Sequence, residues 1–397
     1  MSENENKTIP NDKIKSDKKP NVPNLRFVNK EFSSNWINTP ILDLIKEKIS
    51  YTSDFLKYPL YSFTIEDGVI PKTDRYERSF LVKKKEESFK IVKQNEFVMN
   101  PMNLRFGAIS YSREINDVSV SGYYNIFVID NAENNDFWEA LFRRDKTLRL
   151  YDSVATGSLI EKKRVHFSQF KNLKFYLPSS NERRKISLFI SVINKRIETQ
   201  SKIIKNYESL ICSLRNIIFS NNKWKWIRLD KLVESKIIEL KRGNIIPKHT
   251  KDSKYCYPVY SSSVHNNGLM GYHNTFMFDK ELITWSVDGG GDFFYRNKHK
   301  FNVTNVCGIM ETTNNKYDYL FLSEILKHQH QKLLFDYQTK AHPSVIIKLY
   351  YLPEVEISNQ KSIAKIFKMY YEKLQKEKDI LELYKKQKAY LLQNMFI

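Results

Sequence analysis

Apolar residues along this chain follow two kinds of pattern, and each kind occurs twice. From Ile186 to Ile218 the steps alternate between four and three, through Ile186, Ile190, Ile193, Ile197, Gln200, Ile204, Tyr207, Ile211, Leu214 and Ile218. The same alternation returns 177 positions later, through Ile363, Phe367, Tyr370, Leu374, Glu377, Leu381, Tyr384, Lys388, Leu391 and Met395. A sustained four–three step is the seam of a coiled coil, so each run predicts a long helix packed on another helix. Each run opens after a Leu-Pro pair, Leu177-Pro178 and Leu352-Pro353, and the stretch ahead of each is not heptad. The chain reads as globular unit, long helix, globular unit, long helix, an internal repeat that fixes the architecture.

Ahead of the helices, short β-rich runs are broken by turn residues. In the first unit these are Leu60–Ile65 before Asp67-Gly68, and Tyr123–Ile129 after Ser121-Gly122, with a helical patch around Phe137–Arg149. In the second, strands are expected at Tyr257–Tyr260, Glu281–Val287, Phe293–Arg296 and Val303–Met310, a turn at Asp288–Asp292, and a helix over Tyr319–Phe335. The fold class is α+β, with two mixed α/β domains separated by two long antiparallel coiled-coil helices in a pseudo-two-fold repeat. The expected boundaries are 1–21 for a polar tail, 22–177 for the first domain, 178–220 for its helix, 221–352 for the second domain and 353–397 for the last helix. The two domains match at their ends: Ser34–Ile37 resembles Lys225–Ile227, and Asn172–Pro178 resembles Lys348–Pro353. Between those ends they differ, which suggests two readers with different targets.

Composition narrows the function classes. At 397 residues the chain is long enough for two or three cores, and 41% hydrophobic content suits a globular protein. No stretch approaches the ~20 apolar residues of a membrane span, and the first residues lack the apolar core of a secretory signal. Cys212, Cys256 and Cys307 are too far apart for a disulfide framework or a zinc site, so a reducing cytoplasm is expected. The net charge of +20 attracts polyanions. A lysine-rich surface accounts for part of that excess; nucleic acid is the favoured partner for the rest, and no membrane partner is expected.

Few residues recommend themselves for catalysis. Asn100-Pro101-Met102-Asn103 lacks the second Pro and the aromatic of an amino-methyltransferase motif, and Gly289-Gly290-Gly291 lacks the Lys-Ser/Thr of a phosphate loop. His328 and His330 sit two apart on an expected helix and face different sides, so they do not suit one metal. No catalytic residue and no metal ligand is therefore assigned. For DNA, amides and arginines read base edges, while Lys, Arg and hydroxyls grip phosphates. The first unit offers Lys83, Lys84, Lys85, Asn103, Arg105, Arg113, Lys162, Lys163 and Arg164. The second offers a dense polar loop, Ser261, Ser262, Ser263, His265, Asn266 and Asn267, with Arg296, Lys298, Lys300, Lys340 and His342 for phosphate grip.

The order of these features resembles the specificity subunit of type I restriction–modification enzymes. The resemblance rests on Pro23-Asn24-Leu25-Arg26-Phe27, Phe32, Trp36, Asn95–Asn100, Met102–Ala108 and the Asn172–Pro178 strand entering a helix. It continues through Gly268–Tyr272, Leu282–Trp285, Asp288-Gly289 and Asn305–Gly308, covering about residues 22–397. The resemblance implies that each globular unit is a target recognition domain reading one half of a bipartite site in double-stranded DNA. It implies partners too: two modification (methyltransferase) subunits, and restriction subunits that carry the motor and nuclease. S-adenosylmethionine, ATP and Mg would sit on those partners, with no cofactor bound by this chain. Glu182-Arg183 and Asn359-Gln360 depart from the family's acidic-Gln after the proline, and Lys388 occupies a seam position. The runner-up is a basic coiled-coil interaction protein with two nucleic-acid modules, RNA included. An RNA reader would show exposed ribonucleoprotein aromatics or a Gly-x-x-Gly clamp, and neither is visible.

Two expectations concern the helices. In an antiparallel pair centred on Gln200 and Glu377, Gln200 should layer beside Leu381 and Glu377 beside Ile204. Residues 184–219 give about 36 helical positions, hence ~54 Å. One heptad added to both helices should then lengthen the unspecified gap in the DNA site by about three base pairs, from a ~10 Å extension. Methylome mapping of the extended variant checks this; an unchanged gap with both half-sites still read removes the helices as the ruler.

Overall fold

The structure is a computed structural model describing residues 21–28, 30–72, 89–159, 163–220, 224–246, 256–263, 265–287, 292–313, 315–333 and 341–397. It divides into two compact units, Met1–Thr199 with Glu382–Ile397, and Gln200–Leu381. The matching sequence ends explain how each unit closes. In the first, Ile37–Pro40 pairs antiparallel with Lys174–Leu177, Ile37 opposite Leu177. In the second, Trp226–Arg228 pairs antiparallel with Tyr351–Pro353, Ile227 opposite Leu352. Each ribbon hands the chain to a long helix, Ser180–Phe219 or Ile357–Asn394.

Both helices are divided between the units, and within each unit their packing is antiparallel. In the first unit Ile186 and Ile190, early in the first long helix, share a core with Met395 and Phe396 at the end of the chain. In the second, Phe219, ending the first long helix, stacks on Phe367 near the start of the second, with ring centroids 6.0 Å apart. The sequence resemblance at the helix starts acquires a physical meaning here. Glu182 is 1% exposed and takes two bonds from Arg26, at 2.6 and 2.7 Å. Gln360, equally buried, donates to the carbonyls of Lys316 (3.0 Å) and Val355 (2.8 Å) and accepts from Asp318 N–H at 3.0 Å. The residues after the proline thus pin each helix start to its globular unit, by charge in one copy and by amide in the other.

The first unit holds a four-stranded sheet ordered Ile45–Glu47, Asn125–Ile129, Phe97–Met99, Ile109–Tyr111, and a three-stranded sheet of Tyr51–Thr52, Phe89–Val92 and Val118–Ser121. Its core is aromatic: Phe97 stacks on Phe127 at 5.3 Å, and Phe142 meets Phe170 edge-on. Each such ring, fully buried, contributes about 1.5–3 kcal/mol. The helical patch expected over Phe137–Arg149 is two helices, Asn135–Arg143 and Asp145–Val154, because Arg144 between them is extended (φ −76°, ψ 149°).

In the second unit one sheet is ordered Ile238–Arg242, Cys307–Thr312, Leu282–Ser286, Phe293–Arg296, and another Leu269–His273, Tyr257–Tyr260, Lys300–Val303, Phe278–Asp279. The single strand expected at Val303–Met310 is two strands in different sheets. Thr304 leaves the first by donating to Tyr260 O (2.9 Å), and Cys307 N–H turns back onto Thr304 O (3.0 Å). Gly308 pairs with Trp285 on the neighbouring strand of the same sheet and leaves room for its indole, since a Cβ there would lie 2.0 Å from that ring. The expected Tyr319 helix ends at His330, and the Asp288–Gly291 part of the expected turn lies outside the described residues.

A buried charge cluster ties the long helices to this unit. Glu324, fully buried, receives Arg215 (2.9 Å), Lys327 (3.0 Å) and the Tyr371 hydroxyl (2.8 Å). Burial pushes its carboxyl pKa up, but Lys327 and Arg215 outweigh burial and hold it below the ordinary value. Removing Arg215 alone would leave a buried carboxylate short of a partner, on the order of 3–5 kcal/mol.

The polar seam residues are closer than the sequence suggested. Gln200 Nε2 donates to the Glu377 carbonyl at 3.0 Å and to its carboxylate at 2.5 Å, so the two side chains meet directly and do not lie in separate layers. A buried amide requires an acceptor, and Glu377 supplies two. Replacing both with Leu should raise the melting temperature while loosening register. Calorimetry with disulfide trapping across the pair checks it; a lower melting temperature with register unchanged would overturn the reading.

Candidate nucleic-acid interface

Ser261–Gly268 joins two directly paired strands, Tyr257–Tyr260 and Leu269–His273. Asn266 (φ 49°) and Asn267 (φ 51°) are left-handed, a conformation asparagine tolerates through its short polar side chain. Gly268 continues it at φ 77°; a Cβ there would come within 2.9 Å of Ser261 O. The loop base is fixed by Ser261 N–H on Gly268 O (2.8 Å) and by Thr304 Oγ1 on Ser261 Oγ (3.1 Å). Asn266 and Asn267 are exposed above this base, as is Ser263, while Ser261 and Ser262 are half-buried.

Beneath the loop lies Arg296, 5% exposed. Its Nε donates to Thr284 Oγ1 at 2.9 Å, and its guanidinium stacks 3.6 Å from the Tyr260 ring centre. Burial lowers its pKa to about 10, with Tyr260 opposing the shift. At neutral pH it is a charged prop under the loop. Tyr260 also bonds His299 Nε2 at 3.1 Å, while His299 Nδ1 sits 2.8 Å from Asn297 O. The carbonyl only accepts, so Nδ1 carries the proton and Nε2 accepts from the tyrosine in the neutral ring. Lys298 and Lys300 are exposed on the adjoining turn and strand, and the Lys300 ammonium lies 4.8 Å from the Phe276 ring centre. Tyr272, 54% exposed, adds an aromatic on the strand leaving the loop.

The structure therefore gathers the loop, Arg296, Lys298 and Lys300 on one region. Tyr260, Tyr272 and His299 join them, and sequence reasoning missed all three. Their signal was aromatics at the strand ends flanking a polar loop. His342 is placed differently: exposed, it caps the helix Pro343–Leu349 by accepting from Ser344 N–H at 3.4 Å. Of the two histidines set aside as metal ligands, His328 bonds Asn216 Oδ1 (3.1 Å) and His330 the Tyr350 hydroxyl (2.8 Å).

The first unit's candidates are more dispersed. Asn103 is exposed at the turn before Leu104–Phe106. Arg105 is folded inward, its side chain 8% exposed and 3.3 Å from Asp152. Arg113 is half-exposed but bound to Glu139 (2.6 Å) and Asp136 (3.3 Å) and stacked on Tyr111, and those carboxylates hold its pKa above the ordinary value despite burial. Lys163 is half-buried; Arg164 is exposed, its backbone bridged to Thr156. Lys83, Lys84, Lys85, Lys162 and Lys340 lie outside the described residues, as does the side chain of His265.

These placements separate two roles for cations. On duplex DNA, Lys298→Ala and Lys300→Ala should each reduce the salt slope of binding by about 1, the change expected for loss of one phosphate contact. Arg296→Met should leave the slope unchanged and weaken binding through the loop. Fluorescence anisotropy across salt concentrations decides; a lower slope for Arg296→Met would place that guanidinium on a phosphate.

Residues 221–384 match the family described as type I restriction modification DNA specificity domain. A curated type I specificity subunit of Mycoplasma pneumoniae is 38% identical over 126 residues, 31% of this chain and 40% of that one. The specificity subunit of the type I restriction enzyme MpnII, from the same organism, is 36% identical over 124 residues, 31% of this chain and 36% of that one. Across three such relatives the chain spans between 40% and 50% of their length. Among solved structures, the type I restriction–modification S subunit from M. genitalium superposes with a TM-score of 0.60 at 16% identity, covering 95% of this chain and 99% of that one. A second, from work on assembly and conformational transition of the type I system, gives 0.51 at 11% identity, covering 90% and 96%. These structures share the fold: paired globular units on long helices. With the repeat, the ribbon-closed units and the matched specificity domain together, the chain is similar to type I restriction–modification specificity subunits, and residues 221–384 match their DNA specificity domain.

Proposed function

We propose that this chain is the DNA-reading subunit of a type I restriction–modification complex. It recognises a bipartite site and directs methylation and cleavage carried out by partner subunits. The observation that carries this reading is the repeat itself: two units with the same ribbon-to-helix frame and different interiors. One frame with two interiors suits two half-sites of different sequence. The net charge of +20 supports a polyanionic partner. Two modification subunits, one for each copy of the repeat, would bring S-adenosylmethionine; restriction subunits would bring ATP and Mg. The chain's own part is binding and register.

Methylome sequencing of a host expressing the chain with its modification partner tests the proposal. The expected outcome is a methylated bipartite motif with an unspecified gap. The purified chain alone should bind duplex DNA with steep salt dependence and neither methylate nor cleave it. Methyl transfer by a homogeneous preparation free of partners, or a methylated motif with no gap, would overturn it.

A further inference from the structure

The seam of the second long helix is broken at Lys388, whereas its counterpart in the other copy of the repeat is Ile211. Ile211 is buried in the core of the second unit. Lys388 instead lines a cavity of about 700 Å³ in the first unit. Ala140, Ile190, Ala389 and Leu392 give that cavity an apolar floor. Two of its carboxylates are held internally: Glu139 by Arg113 (2.6 Å) and Arg143 (3.7 Å), and Asp136 by Arg113 (3.3 Å) and Asn194 (3.1 Å). Arg144, Lys146, Arg149 and Lys388 also line the cavity, and among the described residues none forms an ion pair, although Arg144 lies 5.7 Å from the Phe396 ring centre. The remaining carboxylates, Glu66 and Asp145, are exposed.

Burial lowers the pKa of Arg144, and lowers that of Lys388 as well, with Glu139 and Asp136 opposing the Lys388 shift and Arg143 and Arg113 adding to it. Cations held in this way cost free energy that an anion would recover. The helix Asp145–Val154 begins at this wall without a side-chain cap, so its first N–H groups add to the positive potential. The volume falls in the ~300–1,000 Å³ range of small-ligand sites. Four cations against two exposed carboxylates favour a dianion over a monocarboxylate, and the floor favours a ligand with an apolar or planar body.

We infer that this cavity binds a small phosphate monoester of about nucleotide size, with Lys388 and Arg144 gripping the phosphate and the apolar floor taking the body. The site does not depend on the DNA-reading proposal. Isothermal titration of the full chain with AMP and with inorganic phosphate tests it. AMP should bind with a Kd below about 1 mM, and inorganic phosphate about tenfold more weakly. Lys388→Ile copies the other half of the repeat and should weaken AMP at least about tenfold; Arg144→Gln, which leaves the seam untouched, should do the same. Absence of AMP binding to the unaltered chain, or unaltered AMP affinity in both variants, would overturn the site. Equal affinity for AMP and phosphate would overturn the role of the floor.

Discussion

Neither globular unit completes its core without borrowing from both long helices. In the first, Ile186, Ile190, Met395 and Phe396 lie in the same cluster as Trp36, Phe137 and Phe175. In the second, Ile204, Ile211, Phe219, Phe367 and Leu374 lie with Trp285, Phe321 and Ile346. The heptad seam therefore has two duties, holding helix to helix and finishing each unit. That is a severe constraint, because a slip by one residue would move an apolar stripe out of two cores at once. It explains why polar residues beside the seam are held by partners, Glu182 by Arg26, Gln360 by backbone groups and Gln200 by Glu377, with Lys388 the exception among those named. Direct pairing of Gln200 with Glu377 selects register more sharply than separate layers would, since sliding would strand both polar groups.

The frame was legible because it is periodic or punctuated. The four–three steps gave both helices, the Leu-Pro pairs gave their starts, and matching end segments turned out to be the strands that close each unit. Finer divisions were lost where local pattern competes with packing. Phe137–Arg149 reads as a helical patch and is helical, and the extended backbone at Arg144 divides it into two helices. Val303–Met310 looks like one strand because both halves are buried, yet Thr304–Val306 turns the chain from one sheet into another.

The candidate interface was half legible for a related reason. Polar loop residues advertise themselves by composition, so Ser261–Asn267 stood out. The fate of an arginine depends on neighbours distant in sequence. Arg296 resembled a phosphate contact, yet Tyr260 and Thr284 draw it beneath the loop. Arg105 and Arg113 were likewise drawn to Asp152 and to the Asp136–Glu139 pair. A charge count along the chain cannot distinguish a cation facing solvent from one committed inside.

The two copies make that distinction within one molecule. At one seam position the repeat carries Ile211 in the second unit and Lys388 in the first, under the same helical register. Where the position meets a packed core it is apolar; where it meets a cavity it is charged. The cation cluster of the second unit is also placed differently, with Arg215 reaching inward to the buried Glu324 while Lys388 forms no ion pair among the described residues. The shared frame thus tolerates divergence beside the seam itself, carrying an apolar core residue in one copy and a cation lining a cavity in the other.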